Sequence, residues 1–218
     1  MKSITKCSKG FTIMELVVAM ALTTMVLTGI MAVYMTQIKS HVTQQTIVGM
    51  QQNLRTAMQH MEREIRMAGY DDSSRTSVAR VTTVLANTFG FTMDLNEDGD
   101  VTDANERITY TLAANTAGTL CLMRNTGGGN VPVAENIDAL NFVYLDRLRV
   151  PTTVAMDVRS VQVTIIARSS RVNPGFFYSQ TDSQVYRNQQ GAIVLPAMND
   201  SFRRMAITSD IKCRNLYF

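Results

Sequence analysis

The chain has no tryptophan, two histidines, three cysteines and four prolines in 218 residues. Three cysteines are too few for a disulfide scaffold and lack the paired spacing of a zinc site. Two histidines, both in the first third of the chain, leave little material for a histidine-based catalytic centre elsewhere. Four prolines and 12 glycines exclude a collagen-like or linker-dominated polymer. Charge of one sign is also scarce. The 21 basic and 18 acidic residues leave a formal net charge of +3, so no nucleic-acid partner is expected. A hydrophobic content of 45% with 18% charged residues excludes a disordered chain.

What is present is unevenly spread. Residues 1–10 carry three lysines, Lys2, Lys6 and Lys9, and no acid. An apolar run opens at Phe11, and between Glu15 and Lys39 lie 23 uncharged residues. At about 1.5 Å per residue such a helix spans roughly 35 Å, enough for a hydrocarbon core of about 30 Å. The preceding lysines predict a cytoplasmic amino end and an outward-facing remainder. Without residues 1–10 the chain has 18 basic against 18 acidic residues, so the excess charge belongs to the leader alone. A secretory signal peptide fits poorly, because its small-residue cleavage site follows the apolar run, whereas Gly10 precedes it. A plain anchor explains the length and leaves Glu15 unexplained. A carboxylate inside a spanning helix costs about 2–3 kcal/mol, less near the interface.

The stretch Lys9-Gly10-Phe11-Thr12-Ile13-Met14-Glu15 resembles the processing signal of type IV prepilins and type II secretion pseudopilins. The resemblance implies that a prepilin peptidase cuts between Gly10 and Phe11 and methylates the new amino group of Phe11. It also implies that Glu15 meets the free amino group of a neighbouring subunit during assembly. Gly10 suits a scissile bond because it has no side chain to keep an enzyme away. Pairing of opposite charges offsets much of the burial cost that either would carry alone.

Apolar residues recur beyond Lys39 at Ile47, Met50, Leu54, Ala57, Met58, Met61 and Ile65. That spacing places them on one helix face. Glu62 and Arg66 form an i,i+4 pair, and Gly69 suits the position just past the helix end. The spacing predicts one helix over 11–68, about 87 Å long if continuous. It consists of a hydrophobic assembly part, 11–38, and an amphipathic part, 39–69. His41 and His60 read as solvated or partner-facing.

From about residue 75 the period changes to two. Phe89, Phe91 and Met93 alternate with Thr and Gly; so do Ile108, Tyr110 and Leu112 with Thr, and Val161, Val163 and Ile165 with Gln162 and Thr164. Leu120 to Leu122 and Asn141 to Leu145 add two more strand signals. These predict an antiparallel sheet with one buried face. Residues 126–130 read as a turn, and Pro174-Gly175 with Ser179 to Gln190 as an exposed excursion. The expected class is α+β and pilin-like, a long amino-terminal helix packed on a β-rich periplasmic domain over 75–218.

The segment Ile65 to Tyr70, with Phe202-Arg203-Arg204 and Ile211 to Leu216, resembles the PilW-like minor pilins, and the J-type secretion pseudopilins share size and layout. Both imply a low-copy subunit that primes a filament or sits near its tip. Its partners would be major and minor pilins, the prepilin peptidase and the inner membrane. A calcium-dependent tip adhesin is a further alternative. An enzyme is not expected.

Asp94, Asn96 and Asp98, followed by Gly99 and Asp100, match the opening of a calcium loop, with Asp103 or Glu106 as closing carboxylate. Ca2+ is therefore an expected ligand, and a polar hairpin loop is the alternative. Cys7 leaves with the leader. Cys121 and Cys213 remain in an oxidising compartment, where a disulfide is expected and two buried free thiols are the alternative. The pairs Arg147 with Arg149 and Arg203 with Arg204 read as solvated strand edges.

Overall fold

The computed structural model describes residues 10–71, 80–170 and 181–216. Cys7 and the leader lysines, residues 72–79 and Pro174-Gly175 lie outside the described residues. Helix α1, Ile13–Met67, runs 55 residues without interruption, as the absence of proline predicts. The chain divides into two compact units, residues 1–45 and 46–218, with α1 contributing to both.

In the first unit every described side chain from Phe11 to Val42 is exposed, including Phe11, Ile13, Met14 and Met25. α1 is long and apolar enough to cross a membrane. Its polar groups are satisfied internally. The hydroxyls of Thr23, Thr28 and Thr36 donate to the carbonyls of Ala19, Thr24 and Ala32 at 2.7, 2.7 and 2.9 Å. This back-bonding is what a hydroxyl needs where water is absent.

In the second unit α1 buries Met50, Leu54, Ala57, Met58, Met61 and Ile65, the stripe its sequence predicts. Each large apolar side chain so buried contributes about 1.5–3 kcal/mol. The partners are two antiparallel sheets. Strands β1 (Val81–Leu85), β2 (Thr88–Thr92), β3 (Arg107–Ala114), β4 (Leu120–Asn125) and β5 (Asn130–Glu135) form a five-stranded meander in sequence order. Strands β6 (Ile137–Leu145), β7 (Ser160–Arg168) and β10 (Arg204–Lys212) form a three-stranded sheet ordered β10-β7-β6. The short strands β8 (Tyr186–Arg187) and β9 (Ile193–Leu195) pair with each other. One core joins α1 to both sheets. At its centre Phe89 lies 5.2, 5.7 and 5.5 Å from the rings of Phe91, Phe142 and Tyr144.

Two expectations are corrected. The strands form two sheets and a hairpin instead of one sheet, and β7 is buried along both faces. Its second face is covered by β8 and β9, where Tyr186 and Leu195 pack on Ala139 and Ile166. The described part of the Ser179 to Gln190 stretch stays largely exposed, as expected, but it is fastened to the sheet instead of standing off it. Tyr186 anchors it, and Asn188 and Gln190 hydrogen-bond Asn141 and Gln162 at 2.9 Å each.

The end of α1 is closed by the other end of the chain. Arg214 N–H donates to the Arg66 carbonyl and Asn215 Nδ2 to the Met67 carbonyl, both at 3.4 Å. The helix end leaves such carbonyls short of partners, and that of Met67 also accepts from Tyr70 N–H at 2.9 Å. Gly69 holds φ +78, and a Cβ there would lie 2.3 Å from Leu216 Cδ2. Only glycine meets both demands.

Candidate processing and assembly site

Gly10 and Phe11 lie outside α1, and no atom approaches the position of a Cβ on Gly10 within 4 Å. Phe11 is 85% exposed. The bond between them is thus carried on open, non-helical chain. The helix begins two residues later because Thr12 caps it. Thr12 N–H and its hydroxyl both donate to Glu15 Oε2 at 2.9 Å, and Glu15 N–H donates back to Thr12 Oγ1 at 3.3 Å. Leu16 N–H donates to the Thr12 carbonyl at 3.1 Å. This reciprocal arrangement is a capping box, worth about 1 kcal/mol at the Thr12 position. The sequence carried the signal, Thr-x-x-Glu, but reading Glu15 only as an intersubunit charge missed it. Glu15 is also the lone charged side chain between Phe11 and Ile38.

The six residues expected to bind calcium share one loop between β2 and β3. Asp94 and Glu106, each 1% exposed, face it from either end. Asp94 accepts from Glu97 N–H and Gly99 N–H at 2.7 and 3.0 Å. Glu106 accepts from Leu95 N–H and Asp103 N–H at 3.0 and 3.2 Å. Asn96 Nδ2 donates to Asp98 and Asp103 at 2.9 and 2.8 Å. Asp100 accepts from Thr102, which holds its carboxyl below the usual carboxylate range. Backbone N–H groups thus answer the two buried carboxylates. Among the described residues, no three His, Cys, Asp or Glu side chains are grouped to hold a metal ion.

The expected disulfide is corrected: Cys121 and Cys213 are both buried and free. Cys121 lies on β4 in the five-stranded sheet and donates to the Thr119 carbonyl at 3.3 Å. Cys213 follows β10 in the other sheet, where its N–H donates to the Arg159 carbonyl at 3.1 Å. Burial pushes the Cys213 thiol up to about 12 and raises Cys121, with Glu135 adding to the effect. Both therefore stay protonated and unreactive.

Arg147 and Arg149 are exposed, as expected, and the correction concerns Arg204. Arg204 is 1% exposed and joins three carboxylates, Asp138 at 2.6 Å, Asp182 at 3.2 Å and Asp200 at 2.6 Å. Arg168 reaches Asp138 at 3.3 Å. Arg149 pairs with Asp210. His60 is exposed, in keeping with a solvated or partner-facing reading, and places Nδ1 2.9 Å from the Tyr110 hydroxyl. That hydroxyl donates to Glu64, which Arg124 also grips at 2.8 Å. Burial, then Glu64, raises the pKa of Tyr110. Nothing in the local sequence marks these long-range clusters.

An exposed Gly10–Phe11 bond, a capped helix start carrying one carboxylate, a membrane-length apolar helix and a helix-packed antiparallel domain fit a type IV pilin-like subunit. The sequence profile of the prokaryotic N-terminal methylation motif matches residues 5–31. The profile of prepilin peptidase-dependent protein B matches residues 43–186, more than half of the chain, and the chain belongs to that family. It is a type IV minor pilin processed by prepilin peptidase. Among solved structures, a type IV-like pilin from Thermus thermophilus, TTHA1219, is similar at 15% identity and a TM-score of 0.44, over 77% of this chain and 97% of that one. No curated protein matches the chain in sequence.

Proposed function

We propose that this minor pilin is held in the inner membrane by the first part of α1, with residues 46–218 on the periplasmic side. After cleavage between Gly10 and Phe11 it enters a type IV pilus, where it primes assembly or sits near the tip beside other pilins. The role is structural. The observation that carries this reading is Glu15, the one charged side chain in the stretch from Phe11 to Ile38, four residues beyond the new amino terminus. In the isolated chain Thr12 satisfies it. In a filament the amino group of a neighbouring Phe11 supplies an opposite charge, which fixes the axial register between subunits.

The test is peptide mass spectrometry of sheared filaments and of membranes from the native cell. A peptide beginning at methylated Phe11 in the sheared fraction, at low copy relative to a major pilin, is expected. An unprocessed chain confined to membranes would refute the proposal. Location in a secretion machine, with dependence on its secretin, would assign the J-type pseudopilin instead. Glu15→Ala is expected to abolish incorporation while leaving the melting of the globular unit unchanged.

A further inference from the structure

The connection between β6 and β7, residues 146–159, displays side chains that a soluble surface normally hides in such numbers. Leu148 is 81% exposed and Met156 83%, and Val150 and Val154 are exposed between them in sequence. Among the described residues of the second unit, no other connection carries four exposed large apolar side chains. The segment is not loose chain. The Asp146 carboxylate accepts from Leu148 N–H and Val150 N–H at 2.8 Å each, and Asp146 N–H donates to the Val150 carbonyl at 3.0 Å. Thr152 N–H donates to the Tyr144 carbonyl at 2.9 Å. Arg159 Nη1 closes the other side, donating to the Met156 and Val158 carbonyls at 2.8 and 2.9 Å. Arg149 holds φ +64, a conformation that residues with a side chain seldom adopt, and its ion pair with Asp210 fixes that turn to β10. The fold therefore holds these apolar side chains outward in one arrangement.

The charges beside them are mostly of one sign. Arg159 N–H donates to the Leu145 carbonyl at 2.8 Å, and Cys213 N–H to the Arg159 carbonyl at 3.1 Å. The connection and the end of β10 thus meet at one end of the three-stranded sheet. Arg147, Lys212 and Arg214 are exposed there, and none has an ion-pair partner among the described residues. Asp157 is the one exposed acid of the connection.

We infer that this end of the second unit docks on an anionic lipid surface. Leu148, Val150, Val154 and Met156 enter the boundary of the acyl chains, and Arg147, Lys212 and Arg214 meet lipid phosphates. Protruding aliphatic side chains rimmed by cations are complementary to that boundary in both polarity and charge. A nucleic acid would engage the cations alone, and residues 146–159 include no aromatic side chain on which a base could stack. A protein partner would need a hollow cut to four protruding side chains, whereas a bilayer receives them without one.

The inference goes beyond the filament role and does not rest on it. The full chain is held by its apolar helix in nanodiscs of phosphatidylcholine, so that the helix is already satisfied. Its sedimentation is then measured with vesicles of phosphatidylcholine alone, and with vesicles of equal parts phosphatidylcholine and phosphatidylglycerol. Binding is expected to the anionic vesicles only, and to weaken as salt is raised. Leu148→Ser with Met156→Ser, and Arg147→Ser with Lys212→Ser, are each expected to weaken it by about tenfold or more at unchanged melting temperature. A fluorophore placed at position 156 of the full chain is expected to be quenched by brominated lipid confined to the vesicles, and one at position 131 on β5 to be unaffected. No binding to the anionic vesicles, equal binding to neutral ones, full binding by the Leu148→Ser, Met156→Ser chain, or equal quenching at 156 and 131 would each overturn the inference. Tight binding of duplex DNA that Leu148→Ser with Met156→Ser leaves unchanged, without vesicle binding, would assign the cations to nucleic acid and overturn it too.

Discussion

Arg204→Met is the most discriminating perturbation of the globular unit. The guanidinium is 1% exposed and ties the start of β10 to Asp138 on β6 and to Asp182 and Asp200, which bracket the segment containing β8 and β9. It binds Asp200 through two nitrogens at 2.6 Å each. Removing it leaves three carboxylates facing one another with Arg168 alone to answer them. Breaking a buried ion pair from one side costs about 3–5 kcal/mol where the remaining charges stay buried, as those of Asp138 and Asp182 do, while Asp200 is partly open to water. For a unit of this size that corresponds to a fall of about 6–20 °C in Tm. The assay is thermal and urea melting of the full chain in detergent micelles between pH 3 and pH 7. The hydrogen bond to Arg204 holds the Asp200 carboxyl below its ordinary value. A depressed carboxylate contributes stability above about pH 4 and loses it as pH falls through the lowered value. The gap between wild type and variant is therefore expected to narrow on acidification, as the orphaned carboxylates take up protons. Arg204→Lys keeps a charge but not the planar fork, so it should recover only part of the loss. A loss below about 1 kcal/mol, or one that does not change with pH, would refute the reasoning.

Two further outcomes follow from the loop and the helix end. Asp94→Ala removes the acceptor of two backbone N–H groups and is expected to cost about 1–3 kcal/mol in excess chelator as well as in calcium; a Tm shift for Asp98→Ala seen only with calcium present would show that the exposed carboxylates hold a cation. Gly69→Ala meets both the positive φ and Leu216, and should destabilise by about 1–3 kcal/mol. Adding Leu216→Ala should restore the steric part alone, and full recovery in the double variant would show that φ +78 carries no cost.

The helix was legible to within two residues at its amino end and one at its other end, because its signals are local: an unbroken apolar run, a three-four stripe and Gly69. The five strands with clear alternation or aromatic content were legible for the same reason. Strands β8 and β9 were not. They are two and three residues long, too short to show alternation, and they pack through Tyr186, Val194 and Leu195 against residues of β6 and β7 that are distant along the chain. Arg204 was read as solvated because an arginine next to Arg203 looks like a surface pair. Its three acids come from positions 138, 182 and 200, which no local pattern joins. The capping box was written plainly at Thr12 and Glu15, and a single role assigned to Glu15 hid the second.

The closure of α1 by Arg214, Asn215 and Leu216 has a consequence for biogenesis. A polypeptide is made from its amino end, so the helix is complete long before the groups that finish it exist. The Arg66 carbonyl finds its partner 148 residues later, and the sheet of β6 and β7, complete at Arg168, waits until Arg204 for β10. Contacts of such sequence separation form late. Residues 204–216 therefore act as a completion check: a chain cut short of residue 204 keeps its apolar helix but exposes the flank of β7, the kind of unfinished surface that quality control recognises.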